Sequence, residues 1–143
     1  MEEKHNQQII DDFKESWKQM EYVYEKYSTD YPYKESIFRL IHEMRALLLD
    51  EKLRAGQMLS HIVLSRNRYD GLDLENEPYL QIVFLGNHEI NVVTNNYGKE
   101  KIQKQEATYN GYLKQMIQKL ITKDIIWNKD WSQEPDPFFD SFE

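Results

Sequence analysis

The chain has 143 residues, of which 18 are lysine or arginine and 25 are aspartate or glutamate, and its formal net charge is −7. It has no cysteine, which excludes disulfides, thiolate metal sites and cysteine nucleophiles. The acidic charge disfavours nucleic acid as a partner, because binding to the phosphate backbone requires a basic face.

The length fits one folded domain followed by a tail. A chain of this size buries roughly two thirds of the surface that it exposes when unfolded, so its core needs no metal or disulfide. The N-terminal residues lack the apolar stretch of a signal peptide, and no apolar run approaches the roughly 20 residues of a membrane span. We therefore expect a cytoplasmic protein with an α+β domain over residues 1–126 and a tail over residues 127–143.

Helix 1 is predicted from about Asn6 to Tyr27, because its apolar residues recur at steps of three and four along this segment. This spacing is typical of a helix that packs along one seam. Two partners fit the seam: another helix of the same chain, or a second copy of the chain in a homodimer. The stripe consists of Ile10, Phe13, Trp17, Met20 and Tyr24, which would form the dimer contact, and of Tyr27.

Two further helices are predicted before the first strand. Pro32 ends the preceding helix, and helix 2 follows over residues 33–50, with apolar residues about every 3.6 positions. Residues 53–69 are predicted as a third helix, although Ala55-Gly56-Gln57 fits either a short break or a continuous helix. Gly71 is suited to cap the third helix in a left-handed conformation.

A β-hairpin and a last helix complete the predicted domain. Tyr79–Leu85 and His88–Thr94 are rich in β-forming residues, and Gly86-Asn87 between them is typical of a type II′ turn with Gly86 at positive φ. Since two strands alone are unstable in water, we expect the hairpin to pack against helices. The last helix is predicted from about Glu100 to Lys123. The expected fold is therefore α+β, with three or four helices on one hairpin in the order α-α-α-β-β-α and an extended C-terminal tail.

The tail has an acidic and aromatic composition. Aromatic side chains among carboxylates at a chain end are typical of peptides that dock into a groove of another protein. The ending resembles the acidic-aromatic tails of single-strand-binding proteins, and Asp136-Pro137-Phe138 resembles a short endocytic adaptor motif. The alternative is that the rings fold back onto the helices of the same chain. The anchors in either case would be Phe138, Phe139 and Phe142.

The densest polar group between apolar segments lies in the predicted third helix. On a helix, Gln57 and His61 would share one face. Arg66 and Arg68 would lie in the last turn, where cations are favourable and where guanidinium groups are suited to receive an anion or an acidic side chain. The alternative is a solvated helix face that ends in two arginines.

No enzymatic motif is present at comparable strength. The four histidines do not form a His-Glu-x-x-His pair, no serine lies in a Gly-x-Ser-x-Gly turn, and no glycine-rich phosphate loop occurs, so we predict no metal and no cofactor. The expected function is binding to another protein, in an inhibitor, immunity-type or adaptor role. Three alternatives stay open: a sensor that binds a small ligand or anion near Arg66 and Arg68, an enzyme whose site assembles only in the fold, and a structural homo-oligomer joined through helix 1.

Overall fold

The computed structural model describes residues 2–27, 33–58, 61–66, 78–86, 88–96 and 99–122. Within these residues it contains three α-helices, one 3-10 helix and five strands, so the predicted α+β class is confirmed. The elements are α1 (Glu2–Tyr27), α2 (Lys34–Ala46), a 3-10 helix (Leu49–Glu51), β1 (Arg54–Met58), β2 (His61–Ser65), β3 (Tyr79–Phe84), β4 (Glu89–Asn96), β5 (Lys99–Glu106) and α3 (Gly111–Ile121).

The five strands form one antiparallel sheet in chain order, so each strand pairs with its neighbour in the sequence. The predicted hairpin is confirmed as β3–β4, in which Ile82 lies opposite Val92. The predicted third helix is wrong, because its residues form β1 and β2, with Ala55 opposite Leu64. The predicted last helix is wrong in its first part, which forms β5, and α3 begins only at Gly111.

Cross-strand pairing overrides local helix propensity in both wrongly predicted segments. In β2, Ile62 and Leu64 are fully buried on one face and lie opposite Ile82 and Leu80 of β3. This alternation is the period of a strand, and a helix through the same residues would remove one neighbour of β3. The segment that forms β5 is rich in lysine, glutamate and glutamine, which favour helices in isolation, but its pairing with β4 extends the sheet by one strand.

The connection between β3 and β4 is not the predicted type II′ turn. The Leu85 N–H donates to the Glu89 carbonyl at 2.9 Å, so the connection spans residues 86–88. Gly86 lacks the positive φ that a type II′ turn requires at its first central position. A three-residue connection closes the hairpin by a different backbone route. The two predicted strands pair with each other, but in a register one residue away from the one that a turn at Gly86-Asn87 would give.

The helices bury their apolar faces against one face of the sheet. The predicted stripe of helix 1 is buried within the same chain, since Phe13, Trp17, Met20 and Tyr24 each have at most 2% of their surface exposed. Four of the five residues of the predicted dimer contact therefore pack inside one chain. The other helices and the sheet contribute, among others, Ile37, Leu40, Ile41, Ile62, Leu80, Ile82, Leu113 and Ile117.

α1 also covers the edge of the sheet at β1. Ser16 Oγ accepts a hydrogen bond from the backbone N–H of Ala55 at 2.9 Å, and the Trp17 indole N–H donates to the Leu53 carbonyl at 2.9 Å. An uncovered edge strand would offer its unpaired backbone N–H and C=O groups to other chains. These two bonds hold α1 beside β1, where the helix and the strand form two walls of a cleft.

Gln105, the next-to-last residue of β5, caps α3. Its Oε1 accepts a hydrogen bond from the Leu113 N–H at 2.7 Å, and its Nε2 donates to the Asn110 carbonyl at 3.0 Å. The first N–H groups of a helix have no acceptor within the helix, and the side chain of Asn110, the N-cap residue, makes no capping bond. The strand before α3 thus supplies the acceptor that the helix start needs.

Candidate functional site

The structure separates the polar group that the sequence predicts as one helical face. Gln57 lies on β1 and His61 on β2, so the prediction that they share one face of a helix is wrong. Gln57 lies opposite Ile62, and because successive side chains of a strand alternate, His61 is on the other face of the sheet. Arg66 follows β2 and is only 6% exposed, not at the solvated end of a helix. Four further predicted site residues, Arg68, Phe138, Phe139 and Phe142, lie outside the described residues.

His61 is held by contacts with β3 and with α1. Its Nδ1 forms a hydrogen bond with the Gln81 side-chain amide, and its backbone carbonyl accepts a bond from the Tyr24 hydroxyl at 3.1 Å. Burial lowers the pKa of His61 below its ordinary value of 6.5, because the charged imidazolium loses hydration. A neutral ring whose Nδ1 accepts from the Gln81 amide fits this environment.

We expect protonation of His61 to destabilise the fold in acid. Since its folded-state pKa lies below the ordinary 6.5 of the unfolded chain, the unfolded chain takes up the proton first as the pH falls. Stability from this group is complete above pH 6.5 and is lost as the pH falls towards the folded-state pKa. His61→Gln should flatten this dependence in urea titrations, whereas His88→Gln, at an exposed position, should retain it. Equal pH dependence in both variants would contradict the assignment.

A cleft of about 320 Å³ lies between α1 and the β1–β2 hairpin, and we call it the α1–β1 cleft. Arg54 lines it, and the guanidinium of Arg54 lies 5.7 Å from the centroid of the Phe13 ring. A Cβ added to Gly56 would meet only the Val63 carbonyl, at 3.9 Å, so the strand is open at this point. Gln57 is the predicted site residue that lines this cleft. The other lining residues include Gln19, Met20 and Val23 of α1 and Val63 and Ser65 of β2.

A second cleft, of about 430 Å³, lies where α2 meets the 3-10 helix. Its charged lining residues form ion pairs: Arg45 Nη1 lies 2.7 Å from Glu21 Oε1, and Lys14 Nζ lies 3.8 Å from Glu51 Oε2. Leu48 lines the same cleft. We call this cleft, together with Leu47 and Leu48, the α2 corner.

Two adjacent leucines at the α2 corner are exposed to solvent, and one of them has a left-handed backbone conformation. The side chains of Leu47 and Leu48 are 52% and 55% exposed. Leu48 has a φ of 61° and a ψ of 29°, and it is the one non-glycine residue with positive φ in the described part of the chain. A left-handed conformation costs an L-residue with a Cβ roughly 1–2 kcal/mol. The chain thus turns sharply after α2 at the expense of backbone strain.

Asp50 adds a buried acceptor to the α2 corner. Its side chain is only 10% exposed, and its Oδ2 lies 3.7 Å from Arg45 Nε. None of the described residues donates a hydrogen bond to its other oxygen, Oδ1. A carboxylate oxygen that is shielded from solvent and has no donor is unfavourable, so this buried oxygen adds to the strain of the α2 corner.

The sequence does not predict the α2 corner, because the apolar spacing extends the predicted helix 2 to Asp50. That interpretation places Leu47 and Leu48 on the buried face of helix 2, whereas α2 ends at Ala46. One signal was present: three consecutive leucines cannot all face one side of a helix, so some of them had to be exposed or to lie beyond the helix end.

Among the described residues, no three histidine, aspartate or glutamate side chains are grouped to hold a metal ion. None of the described helices has the length and apolar character needed to cross a membrane. Comparisons with models of protein families, with curated proteins and with solved structures found no match.

Proposed function

We propose that the protein is a binding module for another protein and that the α2 corner is its contact surface. The observation that carries this proposal is the exposed pair Leu47 and Leu48, held by the left-handed backbone of Leu48. Single exposed leucines are common on protein surfaces. Two adjacent ones on a strained turn, beside a cleft, are typical of a contact site, because strained backbone clusters where a structure serves binding or catalysis.

The chemistry of the α2 corner fits a partner segment that presents a basic side chain next to an apolar one. A lysine or arginine of the partner would pair with the carboxylate of Glu51, which lines the cleft and is partly exposed. The apolar neighbour would cover Leu47 and Leu48, as anchor residues do at the centre of an interface. The net charge of −7 would also attract a basic partner before contact.

This surface supports the inhibitor, immunity-type or adaptor roles, since each of them requires a stable contact and no catalytic group.

Photocrosslinking from the corner tests the proposal. A photoreactive residue at position 47 should capture a partner from cells of the native host, while the same residue at position 102 should not. Ile102 is the matched control, because it is 58% exposed and lies on β5, in another element. The captured protein would then be purified, and its affinity for the wild type and for variants measured by calorimetry.

Leu47→Glu should weaken binding of the purified partner by roughly thirtyfold or more, which is typical of an interface anchor. Leu48→Gly should also weaken binding while it keeps or raises the melting temperature, because glycine relieves the strain. Ile102→Glu should leave the affinity unchanged. Equal affinity of the partner for the wild type and Leu47→Glu would reject the α2 corner as the contact surface, and a partner segment without lysine or arginine would reject the proposed chemistry.

A further inference from the structure

We propose that the protein forms a weak dimer in which the outer edge of β5 pairs with β5 of a second copy across a two-fold axis. β5 is the last strand of the sheet, and the side chains of residues 100–104 are all exposed, with Ile102 at 58%. At the opposite edge of the sheet, α1 covers β1. An uncovered edge strand is a site where a strand of another chain can be added. This contact is separate from the protein contact at the α2 corner.

The backbone of β5 directs alternate residues away from the sheet. The Ala107 N–H donates to the His88 carbonyl at 3.0 Å, and this bonded pair continues the register of β4 and β5 by one position. Bonded and non-bonded pairs alternate along an antiparallel ladder. Glu100, Ile102 and Lys104 therefore direct their backbone N–H and C=O groups outward, where a strand of a second copy would meet them.

One antiparallel register brings complementary side chains together. When Ile102 lies opposite Ile102 of the second copy, Glu100 lies opposite Lys104 of the second copy, and the two-fold axis repeats this charged pair. Each of these outward pairs exchanges two backbone hydrogen bonds. Lys101 lies opposite Gln103 of the second copy, so no like charges are directly opposed among residues 100–104. Apolar pairs and pairs of opposite charge across two strands stabilise a sheet.

The neighbouring registers lack this complementarity. A shift of two residues is the smallest one that keeps the outward backbone groups opposite each other. In one direction the shift places Lys101 opposite Lys101 of the second copy, and in the other direction it places Glu100 opposite Glu106 of the second copy. Like charges that lie directly opposite each other are destabilising. The charge pattern of β5 therefore favours a single register.

The charges of β5 make the contact weak without preventing it. Lysines on an edge strand usually oppose pairing, but in the favoured register Lys104 meets a carboxylate. Within one chain, Lys104 Nζ lies 3.8 Å from Glu89 Oε1, and these side chains are 61% and 52% exposed, so water screens the pair and Lys104 can also contact Glu100 of the second copy. Pairing of one strand edge buries less than the roughly 1,600 Å² of a standard interface, so we expect a Kd on the order of 100 µM or weaker.

Charge exchange tests the contact on the full chain. Sedimentation velocity between about 10 µM and about 1 mM should show a reversible dimer of the wild type. Glu100→Lys and Lys104→Glu should each weaken self-association by about tenfold, because each variant places like charges opposite each other twice in the dimer. The double variant Glu100→Lys/Lys104→Glu keeps the net charge of −7 and should restore the dimer.

A matched control separates this effect from that of net charge. Lys114→Glu lies at an exposed position of α3 and changes the net charge as Lys104→Glu does, so it should leave the dimer unchanged. Thermal melts establish that each variant is folded.

Amide hydrogen exchange locates the contact at the outer edge of β5. The outward amides of Glu100, Ile102 and Lys104 should exchange several-fold more slowly at about 1 mM than at about 10 µM, because dimer formation gives them acceptors. The amides of Lys101 and Gln103 bond to β4 in either state and should exchange at the same rate at both concentrations.

Three results would overturn the inference. The first is a wild-type protein that remains monomeric at about 1 mM. The second is a dimer that both single charge variants retain or that the double variant fails to restore. The third is a set of outward amides whose exchange does not slow with concentration. A photoreactive residue at position 102 would join two copies of this chain, and mass spectrometry distinguishes that product from the capture of a different protein at the α2 corner.

Discussion

Trp17→Ala should lower the free energy of unfolding by about 3–5 kcal/mol, the usual cost of removing a fully buried tryptophan. Trp17 has 0% of its surface exposed and belongs to the core that joins α1 to the sheet. Its indole N–H donates to the Leu53 carbonyl at 2.9 Å, so the substitution also leaves that carbonyl without its donor. Urea denaturation followed by circular dichroism measures the loss.

Two further variants of α1 separate the contribution of the buried ring from that of its hydrogen bond and provide an exposed control. Trp17→Phe keeps an aromatic ring but removes the bond to Leu53, and it should cost about 1–3 kcal/mol. Tyr22→Ala, at a residue that is 59% exposed, should change stability by no more than about 0.5 kcal/mol. An unchanged midpoint in Trp17→Ala would contradict the packing of α1. Stability that rises with protein concentration would instead support the homodimer through helix 1.

Ile82→Ala should cost about 2–5 kcal/mol, because it opens a cavity at the centre of the sheet. Ile82 is fully buried in β3, and it lies between Ile62 of β2 and Val92 of β4. All three residues have 0% of their surface exposed, so little relaxation can fill the space that the isoleucine leaves. Thermal and urea denaturation measure the loss.

The adjacent position provides the control for this substitution. Val83 points to the other face of β3 and is only half-buried, so Val83→Ala should cost clearly less than Ile82→Ala. A larger loss at Val83 would mean that β3 is shifted by one residue, because a shift of one exchanges the two faces of a strand.

The amino-acid pattern is enough to predict those elements whose burial pattern is complete within one segment. The stripe from Phe13 to Tyr24 repeats with the period of a helix, and these residues are buried in α1. In the β3–β4 hairpin, the alternation that puts Leu80, Ile82 and Phe84 on one face matches the period of a strand. For such segments the local pattern and the tertiary packing favour the same conformation, so the pattern is sufficient.

Other segments take their conformation from packing, because a partner distant in the sequence outweighs their local preference. The residues of β1 and β5 carry little apolar periodicity, and their conformation comes from backbone bonds to β2 and β4. The cap of α3 by Gln105 and the bond from Ala55 to Ser16 join groups that local sequence patterns do not relate. Both clefts depend on the same assembly, because Arg54 lines its cleft only once β1 is a strand and α1 lies beside it. Leu48 enters the left-handed region because the chain must turn between α2 and the 3-10 helix, a packing requirement that outweighs the preference of leucine.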